Sequence, residues 1–194
     1  MRKPADLRRT EIIEAVLRLS VEVGPDRLGT AAVAAAVGIT QPAIFRHFPT
    51  REALWVAVAD QVAARMRIGW AEAEAGSPSP EAAVRRIVEA QARLVAGEPS
   101  ILAIAFSHEL RVSNPALAAV FRGLMSDLTG RLVGAFTALG ERMAVPPQDA
   151  ALLVLGLVQG LALRWSLAGR GFDLVAEARR LLDLQLAGLV RAQP

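Results

Sequence analysis

Glycine and proline clusters at Gly24-Pro25, Pro49, Gly76 to Pro80, Gly97 to Pro99, Ser113 to Pro115, Pro146-Pro147 and Gly169 to Gly171 divide the chain into segments of helix-favouring residues. Inside those segments no run of four or more residues alternates apolar and polar as a half-buried strand does. Ser79 before Pro80 and Asn114 before Pro115 each set a side-chain acceptor at an N-cap and a fixed φ at the first helical position. The sequence therefore predicts an all-α chain of about nine helices, because breakers of this kind mark helix ends.

In the first segment Ile12, Val16, Leu19 and Val23 recur at helical spacing with Ile13 and Leu17 beside them, which predicts one broad apolar face. Two short helices over 30–37 and 41–47 supply partners for it through Val33, Ala34, Val37, Ile39, Ile44, Phe45 and Phe48. Thr50 is placed to cap a long fourth helix reaching about Ala75. The expected division is a compact head over residues 1–50 and a second helical domain over 51–194.

The stretch from Thr30 to Phe48 carries the clearest chemistry. Ala34 and Ala35 let two helices cross closely, Gly38 permits a left-handed turn, Ile39 plugs the angle, and Thr40 is placed to cap the next helix. That is a helix-turn-helix, whose second helix can offer its N-terminal residues to a major groove. Thr40, Gln41, Ala43, Arg46 and His47 are the polar or small residues there, while Ile44 and Phe48 point back to the core.

Residues 38–54, Gly-Ile-Thr-Gln-Pro-Ala-Ile-Phe-Arg-His-Phe-Pro-Thr-Arg-Glu-Ala-Leu, resemble the signature of the TetR family of bacterial transcriptional regulators. The resemblance holds in register over about residues 8–60. It implies a homodimeric repressor that reads an operator with its recognition helix and is released by a small ligand. It also implies base contacts at Gln41, Pro42 and Ala43, and backbone contacts at Thr30, Phe45, His47 and Arg51. Two positions depart from the family's habit: Phe45 stands where Tyr is frequent and lacks the hydroxyl donor, and Arg51 stands for Lys and adds a bidentate option. Each position also has a structural reading, with Phe45 in the core, Thr30, Thr40 and Thr50 as caps, Pro42 as a helix start and His47 as a packed imidazole.

Residues 147–168 and 173–191 form two apolar helices around Gly169-Arg-Gly171, the second with Leu174, Ala178, Leu181, Leu182 and Leu189 on one side. Paired with their copies they would make a four-helix interface, so a homodimer through 147–191 is expected. Between head and interface, helices near 80–97, 99–111 and 115–142 are expected to enclose a mostly apolar ligand site. Trp70, Phe106, His108, Met125, Gln159 and Trp165 are its candidate contacts. The alternative is a DNA binder without an inducer, acting through a protein partner or architecturally.

Charge placement agrees with a polyanion partner. Residues 1–51 hold 8 Lys and Arg against 5 Asp and Glu, whereas residues 52–194 hold 14 against 14. With no Cys and only His47 and His108, neither a metal site nor a cofactor is expected. Ser107-His108-Glu109 does not suggest an enzyme, since successive helical residues cannot align as nucleophile, base and orienter. The charged start has no apolar stretch behind it, and the longest apolar run, Ala150 to Val158, is short of the ~20 residues of a membrane span, so a cytoplasmic location is expected.

Overall fold

The computed structural model describes residues 4–191, and all the regular structure among them is helical. The α-helices are α1 (Ala5–Val23), α2 (Thr30–Val37), α3 (Gln41–Phe45), α4 (Arg51–Ala75), α5 (Pro80–Gly97), α6 (Ser100–Phe106), α7 (His108–Ser113), α8 (Pro115–Thr137), α9 (Pro147–Leu167) and α10 (Leu174–Leu189). The helix expected over 99–111 is two, because Ser107 is extended (φ −62°, ψ 113°) and caps α7 by accepting from the Leu110 N–H at 3.0 Å. α8 stops at Thr137 instead of reaching residue 142, since Gly140 (φ +55°) turns the chain into one 3-10 turn, Gly140–Arg142.

The chain divides into two compact units. The first holds the residues up to Ala64 together with Pro99–Arg122; the second holds Arg65–Glu98 and the residues from Gly123 onward. In the first, α1 packs on α2 and α6, and Ile12, Val16, Leu17, Val33, Ile44, Phe48, Val58, Leu110 and Leu117 are all but inaccessible to solvent. Each large apolar side chain buried this way contributes about 1.5–3 kcal/mol. The apolar face of α1 lies differently from its spacing pattern: Ile12, Ile13, Ala15, Val16, Leu17 and Ser20 are buried, whereas Leu19 is half-buried and Val23 exposed. Two neighbours, α2 and α6, pack on the helix, and Ala15 and Ser20 are buried with the apolar residues.

In the second unit α10 packs on both α5 and α9. Leu174, Ala178, Leu182 and Leu189 are buried by these contacts and Leu181 is half-buried, so the face expected to meet a partner subunit is instead the subunit's own core. Leu124, Leu128, Leu132 and Phe136 carry α8 into that unit at steps of one turn, and all are buried. α9 has 21 residues, and its most apolar 18-residue window has a mean hydropathy of 1.7, long and apolar enough by length and composition to cross a membrane. Its Ala150, Ala151, Val154, Val158, Leu161 and Trp165 are buried, so one side of it is core. The other side, Leu152 (58% exposed), Gly156, Gln159, Leu163 (44%) and Leu167 (79%), is an open stripe.

Glu89 on α5 accepts from Arg179 on α10 at 2.8 Å and pairs with Arg93 at 3.3 Å. The Arg179 hydrogen bond, with the charges of Arg179 and Arg93, holds the Glu89 carboxyl below its ordinary value of 4.5. A carboxyl lowered by folding stabilises the native state above its unfolded value, and that stabilisation disappears as pH falls through the folded one. Glu89→Gln should therefore lower the unfolding free energy at neutral pH by about 0.3–1 kcal/mol, the surface pairing being partly screened. Urea titrations should show the two proteins converging in acid below pH 4.5; an equal gap at both pH values would show that the loss is not electrostatic.

Candidate nucleic-acid interface

The turn between α2 and α3 is built on Gly38. Its φ of +70° and ψ of 38° lie in the left-handed region, where a side chain is strained, and the Ile39 N–H reaches back to the Ala34 carbonyl at 3.0 Å to close the helix end. Thr40 then sits extended at the N-cap of α3, but its hydroxyl makes no capping bond. The helix is opened by Pro42 in its first turn and by the Ala43 N–H bonding the Thr40 carbonyl at 2.9 Å. The expected end at residue 47 comes early, since the N–H groups of His47 and Phe48 both fold back onto the Ile44 carbonyl at 2.9 Å.

Burial sorts the residues of this helix into two sets. Ile44 and Phe48 are sealed in the core; Thr40, Gln41, Pro42, Phe45 and Arg46 are exposed; Ala43 and His47 are half-buried. Phe45, 38% exposed, is therefore not a core residue. Arg46 makes no ion pair or hydrogen bond among the described residues, which leaves its guanidinium available. Gln41 donates from Nε2 to the Thr30 hydroxyl at 2.8 Å, so the first residues of α2 and α3 hold one another at the surface.

Electrostatics supports the same face. From Arg27 to Arg51 the sequence contains no Asp or Glu, while Arg27, Arg46, His47 and Arg51 fall inside that stretch. It ends at Glu52 in the first turn of α4, whose carboxyl is held below its ordinary value by its own backbone N–H and by the Thr50 hydroxyl. Thr50 also caps α4, accepting from the Ala53 N–H at 3.0 Å, and Arg51 beside it is half-buried.

Sequence reasoning missed a clamp made by Arg8 and Arg9. Arg8 donates to the Val37 carbonyl at 3.4 Å and pairs with Glu11 at 2.9 Å. Arg9 donates to the His47 carbonyl and lies over the Phe48 ring, 4.2 Å from its centre. The Arg8 guanidinium thus reaches the carbonyl end of α2, where the helix dipole favours a cation, and the Arg9 guanidinium holds the turn that follows α3. Two adjacent arginines one turn before Ile12 and Ile13 were the visible signal; which carbonyls they reach depends on the fold.

Of the residues expected to meet a small molecule, Gln159 and Met125 are brought together. Trp70 is buried and donates its indole N–H to Gln91 at 3.0 Å, and Trp165 is buried with its N–H on the Phe172 carbonyl at 3.0 Å. Gln159 is exposed and its amide meets the half-buried Met125 sulfur at 3.4 Å. Phe106 and His108 belong to the other unit and are exposed. An open groove of about 650 Å³ in the second unit, lined by Glu74, Ala83, Asp127, Gly130, Arg131 and Gly134 among others, contains none of these six. Among the described residues no cluster of His, Asp and Glu could hold a metal ion.

Residues 12–58 match the family model described as bacterial regulatory proteins, tetR family. This is a tetR-family head. The match runs from the buried Ile12 of α1 through the turn and α3 to Val58 of α4, the same segment that builds the exposed face. The nucleoid occlusion factor SlmA of Pasteurella multocida is 25% identical over 113 residues, 58% of this chain and 57% of that protein, so the chain matches little more than half of that relative's length. Two solved structures share the architecture beyond the tetR-family head. The transcriptional regulator FadR of Bacillus subtilis superposes with a TM-score of 0.77 at 18% identity, over 93% of this chain and 98% of that one. NalD of Pseudomonas aeruginosa, the secondary repressor of an efflux pump, superposes with a TM-score of 0.75 at 22% identity, over 99% of this chain and all of that one. At these identities the likeness is one of fold.

The Arg9 clamp is testable without DNA. Arg9→Met keeps the apolar stem against Phe48 but removes the charged hydrogen bond and the ring contact, and should lower the unfolding free energy by about 1–2 kcal/mol. Amide exchange of His47 and Phe48 should accelerate with it, and unchanged stability together with unchanged exchange at both amides would show that Arg9 does not hold α3.

Proposed function

We propose that this tetR-family regulator is a repressor that binds a palindromic DNA operator as a homodimer, acts in the cytoplasm, and is released by a small, largely apolar molecule. The observation that carries the DNA reading is the sorting of α3, with Ile44 and Phe48 buried and Thr40, Gln41, Pro42, Phe45 and Arg46 facing out on a stretch free of carboxylates. In this reading Gln41, Pro42, Ala43 and Arg46 meet base edges, and Thr30, Thr40, Phe45, His47 and Arg51 hold the phosphate backbone. The head over 1–50 reads DNA, and residues 51–194 dimerise and take the ligand.

The homodimer rests on the open stripe of α9. Gly156 and Gly160 have empty space where a Cβ would stand, and Leu152, Leu163 and Leu167 flank them on the exposed side. An apolar face bordered by glycines with room beside them suits the close approach of a second helix, and a second copy supplies it with the same stripe. Leu163→Glu, at an exposed position, should leave the subunit folded and halve the mass measured by light scattering; a dimeric mass for that variant would move the interface elsewhere.

Release by a ligand draws on likeness. FadR of Bacillus subtilis is known in complex with stearoyl-CoA. Trp70, Met125, Gln159 and Trp165, all in the second unit, are the residues we propose for such a molecule. A second reading, a DNA binder with no inducer, is favoured by one observation: both buried tryptophans already satisfy their N–H groups internally.

Base and phosphate contacts respond differently to loss. Gln41→Ala should weaken the selected operator by about 1–3 kcal/mol and random DNA much less, because base contacts are what distinguish sequences. Arg51→Ala should weaken both DNAs alike and flatten the salt dependence by about one counterion per subunit. Isotherms on both DNAs at several salt concentrations measure this; discrimination left intact by Gln41→Ala and abolished by Arg51→Ala would reverse the two roles.

A further inference from the structure

Five polar side chains are buried among the described residues: Ser20, Gln91, Ser100, Ser107 and Asn114. The last two are the N-caps of successive helices. Ser107 accepts the Leu110 N–H at the start of α7 at 3.0 Å, and Asn114 Oδ1 accepts the Leu117 N–H at the start of α8 at 3.0 Å. A cap needs only an acceptor, and Asp would serve as well. Serine and asparagine also carry donor hydrogens, and a buried donor must find an acceptor or lose its hydration without return.

Both donors find theirs in the head. The Ser107 hydroxyl donates to the carboxylate of Asp26, in the turn between α1 and α2, and Asn114 Nδ2 donates to the backbone carbonyl of Glu52, in the first turn of α4, at 3.0 Å. All four residues lie in the same compact unit. Asp26 and Glu52 bracket the stretch from α2 to Arg51 in the chain, so the two bonds grip the reading segment at both ends. The caps of α4, α5 and α10, namely Thr50, Ser79 and Asp173, are exposed, and the Thr50 donor is taken by Glu52 within its own first turn.

We propose that Ser107 and Asn114 are positioning residues for DNA binding: each closes the first turn of its own helix with its acceptor and fixes the head with its donor. The pose of the recognition helix is thereby tied to the integrity of the first turns of α7 and α8, and fraying of either turn loosens the head at one end. This inference rests on the DNA-binding reading above.

Asp26→Ala in the full-length protein is the decisive variant. Asp26 is exposed, the cap of α7 survives its removal, and loss of a carboxylate would by charge alone raise affinity for DNA. A fall in operator affinity of about three- to tenfold, the worth of one intramolecular hydrogen bond, with Leu110 amide exchange unchanged, is the expected result. Asn114→Asp keeps the acceptor and loses the donor, and should give a fall of similar size with the Leu117 amide still protected. Ser107→Thr, which keeps both functions, should bind as the parent does. Operator affinity of Asp26→Ala equal to or above the parent's overturns the proposal whether or not Asn114→Asp folds. If the parent selects no operator from random DNA, the functional reading fails instead, and amide exchange over residues 27–51 decides the anchoring alone. Faster exchange there in Asp26→Ala supports it, and unchanged exchange overturns it.

Discussion

A helix of five residues cannot hold its own shape. Nucleation costs more than the few bonds α3 closes can return, and isolated helices several times longer are marginal in water. What fixes α3 is the burial of Ile44 and Phe48, together with a left-handed closure at Gly38 in front and the Arg9 guanidinium behind. The exposed set from Thr40 to Arg46 has a defined direction only because the opposite side is sealed. Truncating Phe48, at about 3–5 kcal/mol for a buried aromatic, would cost the reading face its geometry while removing no residue from it.

The second unit resolves a similar tension at larger scale. α9 is apolar nearly all round, yet only a third of its most hydrophobic window is buried. Its inner side is core with α5 and α10, so insertion into a bilayer would expose the partners it now covers and would carry Asp149, Gln159 and Arg164 with it. Covering the outer stripe with an identical helix leaves the core intact, which is why the homodimer is the reading that suits this helix.

Helix ends at Gly-Pro clusters were legible because the punctuation is chemical: Ser79, Thr50 and Asn114 cap where their sequence positions place them, and Gly38 takes the left-handed conformation its turn demands. The break at Ser107 was not. Ser-Ile-Leu-Ala-Ile-Ala-Phe-Ser-His reads as continuous helix, and its interruption accompanies a hydrogen bond to Asp26, 81 residues away in sequence. Thr40 has the residue type and position of a cap but leaves the helix start to Pro42 and its own carbonyl. On α10, periodicity shows that an apolar face exists but not what covers it, and the cover proved to be α5 and α9 of the same chain. Arg46 and Gln41 were legible as exposed polar residues, whereas the Thr30 hydroxyl that holds Gln41 requires two helix starts to be brought together.

Glu52 sharpens what the start of α4 can do for a bound phosphate. A helix N-terminus stabilises an anion by about 0.3–1 kcal/mol at an exposed site. Here the Glu52 carboxyl, held ionised by its own backbone N–H and the Thr50 hydroxyl, already sits at those donors, and the Thr50 oxygen takes the Ala53 N–H. In the proposed DNA complex a phosphate gains little from the helix itself and meets a like charge beside it. The anchoring at that end then falls to the Arg51 guanidinium, whose charge and planar donors do not depend on free backbone N–H groups. Arginine in place of the family's frequent lysine fits such a site, since a bidentate fork keeps its geometry next to a carboxylate that would draw a flexible ammonium toward itself.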